Sequence, residues 1–190
     1  MRLILASASP RRLDLLARIG VEVAAVDPAE IDETPLAHEK PANYARRIAA
    51  AKAAIVAPRH PGAVILAADT VVAAGRRILP KAADADAVRA CMTLLAGRRH
   101  HVLSAVTVVD ASGVARHRLS DSIVTFGPLS TATIAAYAAS GEGVGKAGGY
   151  AIQGRAEAFV RALAGSHSGV VGLPLFETRA LLLSAGIPLG

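Results

Sequence analysis

Apolar and polar positions follow two periods along this chain, a period of two in some segments and a period between three and four in others. Short apolar or alternating runs that end at Gly, Pro or Asp predict strands. We predict strands at 2–6, 21–26, 63–68, 71–74, 77–79, 101–109, 114–125 and 158–163. Apolar residues at helical spacing predict helices at 10–19, 41–57, 84–95, 131–139 and 174–184.

The order of these elements indicates the α/β class. A turn sequence, Asp110-Ala111-Ser112-Gly113, joins the two longest strands and predicts an antiparallel pair within an otherwise β-α-β order. The 190 residues are enough for one full hydrophobic core. We therefore expect a single domain over residues 1–190, with a mixed, twisted sheet flanked by helices and two lobes around a central cleft.

Composition changes this picture only by exclusion. With three Phe, three Tyr and no Trp, the chain has few aromatic platforms for single-stranded nucleic acid. The formal charge of +6 is dispersed in arginine pairs, which suits a phosphorylated small molecule as well as a polymer. Cys91 is the one cysteine, so no disulfide framework forms within a chain. Without a long apolar segment or a signal-peptide pattern, we expect a cytoplasmic protein with no membrane partner and do not expect a nucleic-acid partner.

The densest chemistry lies at residues 7–12, Ser-Ala-Ser-Pro-Arg-Arg, between the first strand and the first helix. Ser9 suits the N-cap and Pro10 the first helical position, so the helix N-terminus and two guanidiniums would meet in one loop. Unpaired N–H groups, the helix dipole and arginine are what a phosphate binds. The alternative is a capped surface helix with solvated arginines.

Three further segments could join the same site. Asp32-Glu33 lies in a proline-bounded loop, and Asp69-Thr70 follows an apolar strand, at whose end we expect it. A glycine-rich segment, 146–154, supplies Lys146 and Gln153. Carboxylates suit Mg²⁺ or Mn²⁺, and Lys52 and Lys81 could add phosphate contacts, which together fit attack of water on a phosphoanhydride. The alternatives are a solvated turn at Asp32-Glu33, a strand-end cap at Asp69 and a lysine lying along a helix face at Lys52. No Walker loop, zinc motif or serine-hydrolase motif is present in the sequence.

In their order along the chain, six motifs closely resemble those of the Maf family. They are Ser7-Ala8-Ser9-Pro10-Arg11-Arg12, Ile31-Asp32-Glu33-Thr34, Ala68-Asp69-Thr70-Val71-Val72, Leu79-Pro80-Lys81, the segment 146–154 and Gly172-Leu173-Pro174-Leu175. The resemblance implies a metal-dependent nucleoside triphosphate pyrophosphatase, using Mg²⁺ or Mn²⁺, that releases pyrophosphate and leaves a nucleoside monophosphate in nucleotide-pool sanitation. It also implies a fold like that of inosine triphosphate pyrophosphatases, and a homodimer.

The resemblance assigns roles residue by residue. Asp69 is the expected catalytic carboxylate, and Glu33 with Asp69 the expected metal site. Substrate contacts are expected from Ser7, Arg11, Arg12, Lys52, Thr70, Lys81, Lys146 and Gln153. Within that set Arg11, Thr70 and Gln153 would set specificity, and the Asp-Thr pair resembles the branch that acts on dTTP and UTP. A Gln amide also offers both a donor and an acceptor to a pyrimidine edge.

Other functions stay open at this stage: a nucleic-acid-binding or division-regulating protein, or a Maf enzyme with another base preference, such as 7-methyl-GTP. The chain also departs from the family pattern, near two of the expected substrate lysines and at one further position. The departures near the lysines are Pro80, Ala82, Gly143 and Gly145, and the further one is Gly169. We expect them to loosen the loops that carry Lys81 and Lys146.

Overall fold

A computed structural model describes residues 1–189 as a seven-stranded sheet with helices on both faces. The strands are β1 Leu3–Leu5, β2 Ala25–Val26, β3 Val64–Ala74, β4 Arg77–Leu79, β5 Arg99–Val109, β6 Ala115–Phe126 and β7 Val160–Ala164. The helices are α1 Pro10–Arg18, α2 Pro41–Val56, α3 Ala85–Leu95, α4 Thr131–Ala139, α5 His167–Val171 and α6 Leu175–Ser184. Two short 3₁₀ helices lie at Ala57–Arg59 and Arg155–Phe159.

The sheet is mixed, in the order β2-β1-β3-β5-β6-β7, with β4 paired to β3. β1 runs parallel to β2 and to β3, whereas the pairs β3–β4, β3–β5, β5–β6 and β6–β7 are antiparallel. Tight turns join β3 to β4 and β5 to β6, and Gly113 supplies the positive φ of 88° that the second of these turns requires. The expected α/β class and the mixed sheet flanked by helices are confirmed.

Side chains of β3 alternate between two hydrophobic layers. Ile65 and Ala67 pack toward α2, while Leu66 and Ala68 face the layer that contains α1, α3, α4 and α6. Because successive strand residues point to opposite faces, Asp69 and Thr70 project to different sides of the sheet. Among residues 1–189 we find no helix long and apolar enough to cross a bilayer.

Helix boundaries follow the predicted positions closely, because Pro10, Pro41 and Asp84 each stand at a helix start. The 131–139 helix is confirmed at both ends. Ser9 does occupy the N-cap position, but its side chain makes no capping bond there.

Two strand predictions were wrong in their bounds, and one short helix was not predicted. Strand 63–68 does not end before Asp69: β3 continues to Ala74 because β5 pairs with it from Ile65 to Ala73. Only Ala25–Val26 of the predicted strand 21–26 pairs with β1. The five-residue α5 was missed, since its glycine, serine and β-branched residues argue against a helix.

Candidate active site

One cavity of about 360 Å³ gathers every side chain predicted to act on substrate or metal. The loop after β1, the start of α1, the middle of β3 and the 146–153 segment form its walls. Its lining includes Ser7, Arg11, Arg12, Glu33, Lys52, Asp69, Thr70, Lys81, Lys146 and Gln153. Their individual roles stay predictions, but segments far apart in sequence meet in one place.

Charges alternate along a chain of four side chains on one wall. Lys52, from α2, places Nζ 2.9 Å from Asp69 Oδ1 and 2.6 Å from Glu33 Oε1. Lys81 then donates to Glu33 Oε2 at 2.7 Å. The side chains of Lys52 and Asp69 are only 10% and 7% exposed, so this pair is shielded from water. The two carboxylates are therefore held close together by a shared ammonium group.

The environments of the two carboxylates move their pKa values in opposite directions. Burial raises the pKa of Asp69, and the positive charges of Lys52 and Arg12 offset that rise only in part. Burial also raises the pKa of Glu33, but the hydrogen bonds from Lys52 and Lys81 outweigh it and leave that pKa lowered. Neighbouring acids with divergent pKa values are the usual sign of divided roles. Burial thus favours the protonated form of Asp69, whereas the two lysines favour the ionised form of Glu33.

Tyr44 supports Glu33 and was missed by the sequence analysis. Its hydroxyl donates to the Glu33 carbonyl oxygen at 2.7 Å, which ties the loop after β2 to α2. Burial and the nearby carboxylates raise the pKa of Tyr44 to about 12, so the hydroxyl keeps its proton. It appeared in the sequence only as an apolar position of a helix, so no local signal marked it. Tyr44 also lines a second, smaller cavity that adjoins the first at Glu33 and Asp69.

The two arginines of the first loop differ in their surroundings. Arg12 is buried, donating from Nε to the Gly172 carbonyl at 2.9 Å and from a terminal nitrogen to Ser7 Oγ at 2.7 Å. Arg11 is half-buried, and its guanidinium makes no hydrogen bond within the part of the chain that the structure describes. Ser7 Oγ also accepts from the Ser9 N–H, so its own O–H is left to donate. Arg12 thus uses two donors within the protein, whereas Arg11 and the Ser7 hydroxyl can turn to a ligand.

Hydrogen-bond direction is determined at Thr70. Ser104 Oγ, on β5, donates its one hydrogen to the Gly169 carbonyl at 2.6 Å. Thr70 Oγ1 lies 2.9 Å from Ser104 Oγ and 3.3 Å from the Gly172 carbonyl, so its hydrogen goes to one of these two acceptors. Only lone pairs of Thr70 remain for a ligand. Ser104 stands 34 positions from Thr70 and was not predicted from the sequence.

The loops of Lys81 and Lys146 pair with each other. Ala82 N–H donates to the Lys146 carbonyl at 3.0 Å, and Gly145 N–H donates to the Ala82 carbonyl at 2.7 Å. A side chain at Gly143 would bring its Cβ within 2.1 Å of the Gly149 carbonyl, so this loop path requires glycine there. Glycines at these departures from the family pattern therefore permit a compact, paired loop. Lys146 lies in this loop, and its partial burial lowers the pKa of its ammonium group.

Gln153 lies at the end of this segment, where its exposed side chain reaches the cavity. Its amide bonds to no group within residues 1–189, so all of its donors and acceptors are available to a ligand. Tyr150 is directed inward instead, with its hydroxyl 2.8 Å from Nε2 of the buried His100.

The donor chemistry of this wall fits a divalent cation. Mg²⁺ is commonly bound by one or two carboxylates together with phosphate oxygens of a substrate, and Asp69 and Glu33 offer two carboxylates side by side. Over residues 1–189 there is no group of three or more His, Cys, Asp or Glu side chains that could hold a metal by itself. A cation here would therefore take its remaining ligands from phosphate and water.

The Maf-like protein family model matches residues 2–185. The chain therefore belongs to the Maf family. It is 64% identical to a dTTP/UTP pyrophosphatase of Sphingopyxis alaskensis, over 99% of this chain and 98% of that one. A dTTP/UTP pyrophosphatase of Rhodospirillum rubrum is 61% identical, over 97% of this chain and 88% of its own.

Two solved structures are similar over 66% of the chain. One is a nucleoside-triphosphatase, or dITP/XTP pyrophosphatase, from Mycobacterium abscessus, with a TM-score of 0.41, 21% identity and 74% of its own chain covered. The other is the Staphylococcus aureus Ham1 protein, with a TM-score of 0.49, 11% identity and 72% of its chain covered.

Proposed function

We propose that this protein is a nucleoside triphosphate pyrophosphatase that hydrolyses dTTP and UTP, with the help of Mg²⁺ or Mn²⁺. The observation that carries the proposal is a buried carboxylate with a raised pKa, that of Asp69. It forms an ion pair with Lys52 inside a cavity lined by several cationic side chains. Relatives that share most of their length with this chain are named dTTP/UTP pyrophosphatases. The products would be the nucleoside monophosphate and pyrophosphate.

Cationic groups surround the space that a triphosphate would fill. Arg11 and Lys146 lie near each other, Lys52 and Lys81 meet at Glu33, and all four line the cavity. The N-terminus of α1 adds its dipole, and the Ser7 hydroxyl adds a free donor. Because these donors are strongest toward charged phosphate oxygens, a neutral nucleoside should bind poorly.

In the proposed step Asp69 accepts a proton from water. The water oxygen bonds to the α-phosphorus, the bond from that phosphorus to the oxygen bridging the α- and β-phosphates breaks, and pyrophosphate leaves with the electron pair of that bond. The proton of the attacking water passes to the Asp69 carboxylate. A raised pKa makes this carboxylate a stronger base than an exposed aspartate.

Asp69 and Glu33 would hold the cation. When bound, it neutralises charge on the phosphate oxygens, which favours attack by water. Lys52 contacts both carboxylates, so its ammonium group would fix their spacing for that cation.

Thr70 and Gln153 support the choice of base. Uracil and thymine present an N3–H donor between two carbonyl acceptors, whereas cytosine presents an acceptor at N3 and an amine at C4. Thr70 can offer a ligand only lone pairs, which match an N3–H donor. The Gln153 amide, free of protein partners within residues 1–189, can serve a neighbouring carbonyl.

A nucleotide panel tests the proposal. We expect pyrophosphate release from dTTP and UTP with Mg²⁺ or Mn²⁺, and much lower kcat/KM for CTP, ATP, GTP and 7-methyl-GTP. Turnover of 7-methyl-GTP above UTP would overturn the base assignment. Absence of turnover with any nucleotide, together with DNA binding that weakens steeply with salt, would favour the binding-protein alternative.

We infer a homodimer in the cytoplasm. The family resemblance supports the homodimer, and the pattern of apolar residues in the sequence supports the location. Sedimentation velocity of the purified protein tests the first, and fractionation of the source cells tests the second.

A further inference from the structure

Just beyond Gln153 the chain enters the 3₁₀ helix Arg155–Phe159, and a distant carboxylate holds the first turn. Glu142 Oε2 accepts from the Arg155 N–H at 3.0 Å, and Oε1 accepts from the Ala156 N–H at 3.4 Å. Glu142 stands 13 positions before Arg155, in the loop after α4. The turn is therefore held by a side chain that it does not itself contain.

Tyr137, on α4, holds the backbone on the N-terminal side of Gln153. Its hydroxyl donates to Glu142 Oε1 at 3.1 Å and accepts from the Ala151 N–H at 3.2 Å. Burial raises the pKa of Tyr137, so the hydroxyl keeps the proton that this relay needs. The backbone is thus held two residues before Gln153 and two residues after it, through one carboxylate and one phenol.

Gly154 shows how closely this carboxylate lies against the backbone. A Cβ built on Gly154 would stand 2.6 Å from the Glu142 carboxylate atoms. The absence of a side chain at the position next to Gln153 is what lets Glu142 reach the N–H groups behind it.

Neither Glu142 nor Tyr137 lines the cavity, whereas Ala151, Ile152 and Gln153 do. The proposed hydrolysis uses neither of the two. The Gln153 amide has no partner within residues 1–189, so the protein controls this side chain chiefly through the backbone position from which it starts. We propose that Glu142, through the hydroxyl of Tyr137, is the positioning residue that aims Gln153 at the base and so sets the preference for uracil and thymine.

This inference rests on the proposed function, and base preference is its readout. The ratio of kcat/KM for UTP to that for CTP is measured in the wild-type protein, Glu142→Ala, Glu142→Gln and Tyr137→Phe. We expect Glu142→Ala to narrow the ratio by about fivefold, mainly through a higher KM for UTP, because a misplaced amide forfeits a hydrogen bond to the base. Glu142→Gln and Tyr137→Phe keep side-chain volume and should narrow it less, so they carry the test if Glu142→Ala does not fold.

A matched control comes from the same 3₁₀ helix. Glu157 is exposed, and its carboxylate accepts no hydrogen bond from residues 1–189. Glu157→Gln removes the same charge nearby and should leave the ratio unchanged. If Glu157→Gln narrows the UTP-to-CTP ratio as much as the Glu142 variants do, the loss of a nearby negative charge is sufficient to explain the effect, and the inference is overturned.

A double-mutant cycle tests whether Glu142 acts through Gln153. In a Gln153→Ala background, Glu142→Ala should cause no further narrowing of the UTP-to-CTP ratio. Additive effects, or an unchanged ratio in folded Glu142→Ala, would overturn this inference while leaving the proposed function in place. A wild-type protein that releases no pyrophosphate from UTP would overturn the proposed function, and the inference with it.

Discussion

Lys52 donates a hydrogen bond of 2.9 Å to Asp69, across the packing of α2 on β3. Both side chains are buried, and the carboxylate feels two opposed influences. Burial raises the pKa of Asp69, and Lys52 pulls it down without cancelling the rise. A buried carboxylate without a cationic partner would stay protonated near neutral pH. A carboxylate whose cationic partner fully cancelled the effect of burial on its pKa would be only a weak base. The pair therefore leaves Asp69 ionisable and basic.

Replacing Asp69 with asparagine tests its role in catalysis. The change keeps the shape of the side chain and removes its charge, so the fold should persist while proton acceptance and metal binding fail. We expect kcat to fall by about 100-fold or more, as for loss of a general base. Pyrophosphate release gives the rate, and circular dichroism checks the fold. If the Asp69→Asn variant keeps more than about a third of the activity, another group accepts the proton.

Metal dependence is tested at Glu33. Excess EDTA should abolish turnover, and Mn²⁺ or Mg²⁺ should restore it. Glu33→Gln should raise the metal concentration needed for half-maximal activity by roughly 10-fold, because a charged oxygen ligand is lost. Asp32→Asn is the control, since Asp32 lies outside the cavity and accepts from the Thr34 N–H. Full activity after exhaustive chelation would contradict the metal role.

Local sequence was enough to predict the helix starts and the side chains of the cavity. Prolines at 10 and 41 determine where α1 and α2 begin, and strand-loop-helix order brings Ser7 and Arg11 to the site. Long-range pairing was out of reach. β5, from a later part of the chain, pairs with β3 on both sides of Asp69, so a residue expected at a strand end lies in the middle of one.

Supporting side chains were missed for the same reason. Ser104, Tyr44 and Glu142 act on site residues that lie elsewhere in the sequence, so their neighbours in the chain give no sign of the contact. Each also satisfies an ordinary local pattern: a strand position, a helix position and a loop acid. Which polar side chains complete a site depends on the packed fold, whereas which ones touch a ligand is often visible in a motif.

The role of Thr70 and Gln153 in base recognition is tested by comparing kcat/KM among nucleotides. Thr70→Ala combined with Gln153→Ala should lower kcat/KM for UTP more than for CTP, since a correctly paired hydrogen bond is lost only with UTP. Lys146→Ala, at a proposed phosphate contact, should weaken all nucleotides by a similar factor. If the double variant lowers kcat/KM for UTP and for CTP by the same factor, Thr70 and Gln153 do not recognise the base.

Ser104→Ala tests the direction of the Thr70 hydrogen bond. Without Ser104 Oγ, only the longer contact of 3.3 Å to the Gly172 carbonyl competes for the Thr70 hydrogen, so the hydroxyl can donate to the N3 acceptor of cytosine instead. We expect the UTP-to-CTP ratio of kcat/KM to narrow by about threefold, mostly through a gain with CTP. A ratio that narrows only because UTP is lost would mean that Ser104 holds the position of Thr70 and not its proton.

His100 makes stability depend on pH. Burial lowers its pKa from 6.5 to about 4, and its ring stacks edge-on against Phe126 while bonding to Tyr150. Below pH 6.5 His100 is protonated in the unfolded chain but still neutral in the folded protein. The free energy of unfolding therefore decreases as the pH is lowered from 6.5 to about 4. Across that window the loss is on the order of 3 kcal/mol.

Urea unfolding at about pH 7.5, 6, 5 and 4.5 measures most of this loss, because those values run from above the unfolded pKa of His100 to just above its folded pKa. The proteins compared are the wild type, His100→Gln and the exposed-site control His167→Gln. The fall in the free energy of unfolding should be shallower in His100→Gln alone, whatever stability that variant loses near neutral pH, since glutamine has no proton to gain. Parallel curves for all three proteins would show that carboxylates, and not His100, set the acid sensitivity.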